Sequence, residues 1–217
     1  MTKQNTAEII VVLDRSGSMS SIKDDIEGGL RTFVEEQKAN GLDTRFSLYQ
    51  FDEFYEPVVE CKPMSEVGDF KLMPRGSTAL WDAIGRTINA VGQRLSNTPE
   101  GDRPAKVVLL ILTDGAENAS KEFGSAKIRE MIEHQKSKYQ WQVLFMGSNQ
   151  DAALTGRSIG LSTMDCMSFS NKARGPAMGL GDTSANITGY LRGATVSASY
   201  SVDQKTKQDD LIKKYGN

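Results

Sequence analysis

The sequence predicts an α/β protein: a doubly wound, mostly parallel sheet with one antiparallel strand and helices on both faces. Three observations carry that expectation. Short apolar runs rich in β-branched residues, at 8–13 and 106–113 above all, read as strands buried on both faces. Stretches with apolar residues every three or four positions read as amphipathic helices. The two patterns alternate along the chain, which is the order of a parallel sheet wrapped in helices. At 217 residues the chain fits one domain and can bury a sizeable core without disulfides or structural metals.

The strand at 8–13 is followed by Ile22, Ile26, Leu30, Phe33 and Val34, one face of a helix that begins near Ser20 and stops at Asn40-Gly41. Residues 46–51 and 55–60 read as two strands around the turn at Asp52-Glu53, so one of them runs antiparallel. Leu80, Ile84, Ile88, Val91 and Leu95 mark a second helix, broken by the segment 97–102. The central strand 106–113 leads to a helix carrying Phe123, Ile128, Met131 and Ile132, then to a strand over 141–146. Beyond Ser148 the pattern weakens to a short helix over 151–159 and a last strand over 163–169. The part 171–200 is rich in Gly, Ala, Ser and Thr, with Ile187, Tyr190, Leu191 and Ala194 at helical spacing. Residues 203–217 are polar and charged and read as a frayed tail. No repeat or boundary stands out, so 1–217 is expected to be a single domain with its core over about 7–170.

The balance of 26 basic against 28 acidic residues argues against a broad, salt-driven grip on nucleic acid. No run reaches the ~18 apolar residues of a membrane span, and the polar start is not that of a secretory signal. Cys61 and Cys166 stand far apart and form no CxxC pair, so a reducing, cytoplasmic setting is expected. His134 is the only histidine, which excludes most His-based triads and zinc sites, and beside Glu133 and Gln135 it reads as a solvated helix residue.

The informative residues sit where strands end. The first strand runs into Asp14-Arg15-Ser16-Gly17-Ser18, and the central strand into Thr113-Asp114-Gly115. Gly76-Ser77-Thr78 lies in the loop before the second helix. Ligands of open parallel sheets bind outside the carboxyl ends of the strands, where the winding reverses. Asp14 and Asp114 are expected on adjacent strands there, with the Thr78 loop reaching over. Two carboxylates and three hydroxyls make an all-oxygen set that suits Mg²⁺ or Mn²⁺ and lacks the soft ligands that select zinc or copper. Ser16 and Ser18 alternate after Asp14, and Gly17 permits the tight turn that aims all three at one point.

Asp14-x-Ser16-x-Ser18, with Thr78 in a later loop and Asp114 after the central strand, resembles the metal-ion-dependent adhesion site of von Willebrand factor A domains. The stretches 76–85 and 113–120 are similar to the small stand-alone A-domain proteins of bacteria and phages. The resemblance spans about residues 7–170. It implies that Ser16, Ser18 and Thr78 hold a metal directly, while Asp14 and Asp114 act through water or by hydrogen-bonding the serines. It further implies a non-enzymatic interaction module, in which an Asp or Glu of a protein partner completes the coordination of the ion.

Other readings fit less well. Asp14 as the nucleophile of a metal-dependent phosphate-ester enzyme is the alternative. Phosphate-accepting aspartates of the haloacid dehalogenase type need a second Asp where Ser16 stands, and no general acid is evident. Gly179-Leu180-Gly181-Asp182-Thr183-Ser184 only half-matches a dinucleotide fingerprint and reads as a flexible loop. Met164, Met167 and Met178 read as core filling. Asp82 and Glu117 lie near the metal loops in sequence, placed to tune the site or recognise partners.

Overall fold

The computed structural model describes residues 3–148, 152–172 and 174–215. Six strands form one sheet: β1 (Lys3–Asp14), β2 (Asp43–Phe51), β3 (Tyr55–Pro63), β4 (Pro104–Thr113), β5 (Gln142–Ser148) and β6 (Cys166–Phe169). Their order is β3-β2-β1-β4-β5-β6, parallel throughout except for the β2–β3 hairpin. The winding reverses between β1 and β4. Because β1 pairs on both sides, successive residues face opposite layers, and the five residues from Ile9 to Leu13 are all apolar. Ile9, Val11 and Leu13 pack into one core, Ile10 and Val12 into the other.

The first core is closed by α1 (Lys23–Ala39) and α5 (Gly175–Leu191), the second by α2 (Leu80–Asn97), α3 (Ser125–Tyr139) and α4 (Ala152–Ser158). Fully buried Ile26, Leu30 and Phe33 carry the apolar stripe of α1, and Leu80, Ile84, Ile88 and Val91 that of α2. The doubly wound class expected from the alternation of elements is the one observed.

The differences lie in detail and toward the C-terminus. Between β1 and α1 the chain makes a 3₁₀ turn, Gly17–Ser21, so α1 starts later than Ser20. Phe123 precedes α3 instead of belonging to it; its ring fills the space beside Gly85, where a Cβ would stand 2.7 Å away. The stretch 179–184 is not a loop. It lies inside α5, where Leu180 and Ile187 are fully buried and Gly179 lets the helix approach Met146. The expected frayed tail is helix α6 (Val202–Tyr215), docked on β6 and α5 by buried Gln208 and Ile212, with Gln208 Nε2 donating to the Gly175 carbonyl at 3.1 Å. Residues 216–217 lie outside the described residues. Of the three methionines expected in the core, only Met167 is buried, and Met164 and Met178 are exposed.

Candidate metal centre

Asp14, Ser16 and Ser18 sit at the carboxyl end of β1 and Asp114 at that of β4, on either side of the point where the winding reverses, and Thr78 comes from the loop before α2. Asp14 is the last residue of β1, fully buried, paired in register with Phe51. Its Oδ1 accepts the Ser16 amide at 2.6 Å and its Oδ2 accepts the Thr113 hydroxyl at 2.5 Å. The first bond curls the loop so that the serine side chains turn back toward the strand end. Ser16 Oγ and Ser18 Oγ are 3.1 Å apart, and Ser18 Oγ donates to Asp114 Oδ1 at 2.6 Å. A Cβ built on Gly115 would stand 3.2 Å from Thr78 Oγ1, 3.4 Å from Ser18 Oγ and 3.9 Å from Asp14 Oδ2. Three separate pieces of chain therefore converge over a bare backbone position.

Burial pushes the Asp14 carboxyl up to about 6, against the bonds from Thr113 and Ser16, and the neighbouring Asp114 adds to the rise. Burial likewise raises Asp114, against the bond from Ser18. Two carboxylates held this way gain most from a cation placed between them. Among the described residues no three His, Cys, Asp or Glu side chains converge as a metal cluster, so an ion here would rest on hydroxyl oxygens as much as on carboxylates. The donor set therefore fits a hard divalent cation.

The sequence pattern missed what holds the loops together. Asp52, at the end of β2, is buried; its Oδ2 accepts Arg15 Nε at 3.1 Å and Arg75 Nε at 2.8 Å, and its Oδ1 accepts the Phe54 amide at 2.6 Å. Burial raises this carboxyl, but the bonds from Arg75, Phe54 and Arg15 outweigh it and hold it below the usual range. The Asp52 carbonyl also accepts the Ala79 amide, while Arg75 N–H bonds the Arg15 carbonyl and Gly17 N–H the Gly76 carbonyl. The Thr78 loop is thereby tied to the serine loop on both sides. Glu53 Oε2 takes the Ser77 amide at 2.6 Å.

Asp82 and Glu117, near the site in sequence, both accept backbone amides of the loops around it. Glu117 accepts amides from Trp81, Ala119 and Ser120, satisfying the start of α2. Asp82 accepts those of Lys121, Glu122 and Phe123. Asn118 Oδ1 accepts the Thr78 amide at 2.9 Å, and the Thr78 carbonyl accepts those of Asn118 and Ala119. The only sequence signal for these residues was their nearness to the motif. His134 is exposed on α3, far from the strand ends in sequence, and its ring meets Tyr139 edge-on.

A doubly wound sheet with an oxygen-donor cluster at its switch point defines a class of α/β ligand-binding domain. The chain belongs to the von Willebrand factor type A domain family, whose model matches residues 8–176. No curated protein matches it. Among solved structures it is similar to proximal thread matrix protein 1 of the mussel byssus with a zinc-occupied adhesion motif, at 13% identity and TM-score 0.60, covering 88% of this chain and 47% of that one. It also resembles the von Willebrand factor type A protein of Catenulispora acidiphila, at 19% identity and TM-score 0.54, with 87% and 43% covered. A third is the type V pilus tip protein Mfa5 domain of Porphyromonas gingivalis, at 9% identity and TM-score 0.58, with 87% and 95% covered. The chain spans about half the length of the mussel and Catenulispora proteins. No helix among the described residues is long and apolar enough to cross a membrane.

Proposed function

We propose that the chain is a non-enzymatic protein-interaction module that works through a Mg²⁺ or Mn²⁺ ion. Ser16, Ser18 and Thr78 would hold the ion through their hydroxyls, with Asp14 and Asp114 acting through water or by orienting the serines. The ion would supply an unneutralised positive charge and an open position for an Asp or Glu of a partner protein. The observation that carries this reading is the convergence of Asp14, Ser18 and Thr78 oxygens over Gly115. A zinc-occupied motif in a mussel relative supports a divalent ion at such a place. The alternative, Asp14 as a nucleophile on phosphate esters, draws no support from the geometry: both of its oxygens already accept bonds from Ser16 and Thr113. Two cysteines without a disulfide, Cys61 and Cys166, support work in the reducing cytoplasm.

Titration calorimetry with Mg²⁺ and Mn²⁺ tests the ion. Wild type is expected to bind one equivalent, and Asp114→Ala and Thr78→Ala to bind none. At about 100 times its Kd the ion adds about 2.7 kcal/mol of stability to the wild type alone. Equal binding by wild type and the two variants sinks the assignment. A partner held equally well in EDTA, or by Asp14→Ala, sinks the adhesion mechanism.

A further inference from the structure

The proposed donor set leaves unused a buried hydroxyl beside it, that of Thr113, the last residue of β4 and the neighbour of Asp114. β1 and β4 run parallel with Leu13 paired to Leu112, so Asp14 and Thr113 follow side by side where the winding reverses. The Thr113 proton has two acceptors in reach, Asp14 Oδ2 at 2.5 Å and the Gly115 carbonyl at 3.2 Å, and the shorter bond goes to the carboxylate. The same hydroxyl oxygen accepts the Gly115 amide at 3.2 Å. A relay results, from the Gly115 amide through the Thr113 hydroxyl to the Asp14 carboxylate. Gly115 is also the backbone position over which Thr78 Oγ1 and Ser18 Oγ converge.

From the other side Asp14 Oδ1 accepts the Ser16 amide at 2.6 Å. The carboxylate is gripped at both oxygens, by its own loop and by the neighbouring strand, so its plane is fixed. Asp114 is anchored differently: its Oδ1 takes the Ser18 hydroxyl, a group proposed to hold the ion itself. Asp14 Oδ2 is instead held by a group outside the donor set. That bears on which ion fits. Mg²⁺ demands near-octahedral oxygens at about 2.0–2.1 Å, whereas Ca²⁺ accepts about six to eight at about 2.3–2.6 Å in loose geometry. A fixed carboxylate favours the first. A released one favours the second, because it can swing to offer both oxygens.

Resting on the cation reading above, we propose that Thr113 is a positioning residue of this site: by holding Asp14 it sets the preference for Mg²⁺ over Ca²⁺. Thr113 touches no ion in this reading and acts through the carboxylate alone. Removing such an outer partner of a metal ligand costs about 10–100-fold in metal affinity.

The test is calorimetric titration of Mg²⁺ and, separately, of Ca²⁺ into wild type, Thr113→Val and Thr113→Ser. Valine keeps the branched shape but puts a methyl where the hydroxyl stood, and a methyl cannot stay 2.5 Å from a carboxylate oxygen. Thr113→Val is expected to bind Mg²⁺ about tenfold or more weakly and to lose clearly less for Ca²⁺, so the ratio of the two affinities falls. Thr113→Ser, which keeps the hydroxyl, keeps the wild-type ratio. A wild type that binds Mg²⁺ but prefers Ca²⁺ overturns this inference and leaves a cation at the site. So do equal fractional losses for both ions, unchanged Mg²⁺ binding in Thr113→Val, or a Thr113→Ser that behaves like Thr113→Val. A wild type that binds neither ion overturns both readings. Melts of the metal-free proteins show which variants fold. If Thr113→Val does not, Thr113→Ala is read by the same criteria, and failure of both to fold makes Thr113 a support of the sheet and overturns the inference.

Discussion

Replacing Asp52 with alanine is expected to loosen the site without removing any metal donor. Three donors lose their acceptor: Arg15 Nε, Arg75 Nε and the Phe54 amide. They do not count equally. The Arg75 side chain is 59% exposed, so solvent competes for its bond and that arm counts for little. The Arg15 side chain is 6% exposed and keeps only Glu56, itself largely in solvent. Removing one partner of a buried pair costs about 3–5 kcal/mol; the surviving Glu56 contact places the expected loss near the lower end, at about 3 kcal/mol. For a chain of this length that lowers Tm by about 6–12 °C. Arg75→Ala, which breaks only the exposed arm, is expected to cost clearly less than Asp52→Ala. Urea denaturation of the metal-free proteins reads both values, and Mg²⁺ calorimetry reads the consequence for the Thr78 loop, a weaker affinity in Asp52→Ala. If Asp52→Ala costs no more than Arg75→Ala, or binds Mg²⁺ like the wild type, the buried carboxylate does not hold the loops and the reasoning fails.

Gly76→Ala places a Cβ at φ +67°, 2.0 Å from Glu53 Oε2, so the alanine must expel the carboxylate that holds the Ser77 amide. A loss of about 1–2 kcal/mol in urea denaturation is expected, with weaker Mg²⁺ binding, and Glu53→Ala/Gly76→Ala should recover part of it. Glu117→Gln keeps one acceptor oxygen where the carboxylate takes three amides and the Ser120 hydroxyl, so a loss of about 1–3 kcal/mol is expected, with Thr78 freed from its neighbours. A melt unchanged from wild type would contradict that. Asp165 governs part of the acid limb. Burial raises its carboxyl, but the Ser199 hydroxyl and the Lys136 ammonium outweigh it, so the folded value lies below the ordinary 3.8. The stability it contributes is complete above the unfolded value and lost as pH falls through the folded one. The advantage of wild type over Asp165→Asn should therefore be full well above the ordinary 3.8 and shrink as the pH falls below it; a difference that stays constant through the acid limb refutes the assignment.

The strands, and the polar residues that converge at their ends, were legible for the same reason. A strand buried on both faces must be apolar throughout, so 8–13 and 106–113 announce themselves, and the polar residues that break those runs are the ones at the strand ends where a site forms. Beyond residue 171 the chain was only partly legible: Ile187, Tyr190 and Leu191 showed helical spacing, but 179–184 read as a loop and α6 as a frayed tail. Gly175, Gly179, Gly181 and Gly189 give α5 poor helical propensity, yet tertiary packing selects it: at Gly29 of α1 a Cβ would meet Ala177 and Leu180 at 3.0 Å or less. In α6 two buried residues, Gln208 and Ile212, anchor 14 residues, too sparse a stripe to read as a buried face.

The supports of the site are hidden for a different reason. Metal donors are specified by kind and spacing, hydroxyl and carboxylate in alternate positions after a strand, and such a pattern survives in one dimension. Asp52, Glu53, Asp82 and Glu117 instead accept backbone amides from loops that lie near in space. Almost every residue offers an amide, so nothing in the recipient loop marks the pairing, and the acid looks like any solvated surface residue. Their work is nonetheless what brings Asp14, Ser18 and Thr78 over Gly115. Charge explains why acids do it: the loops expose the amino end of α2 and a run of unpaired amides, which carboxylates satisfy with two acceptors each. A chain that kept Asp14, Ser16, Ser18, Thr78 and Asp114 but lost Asp52 or Glu117 would keep the motif and lose the bonds that hold its loops in place.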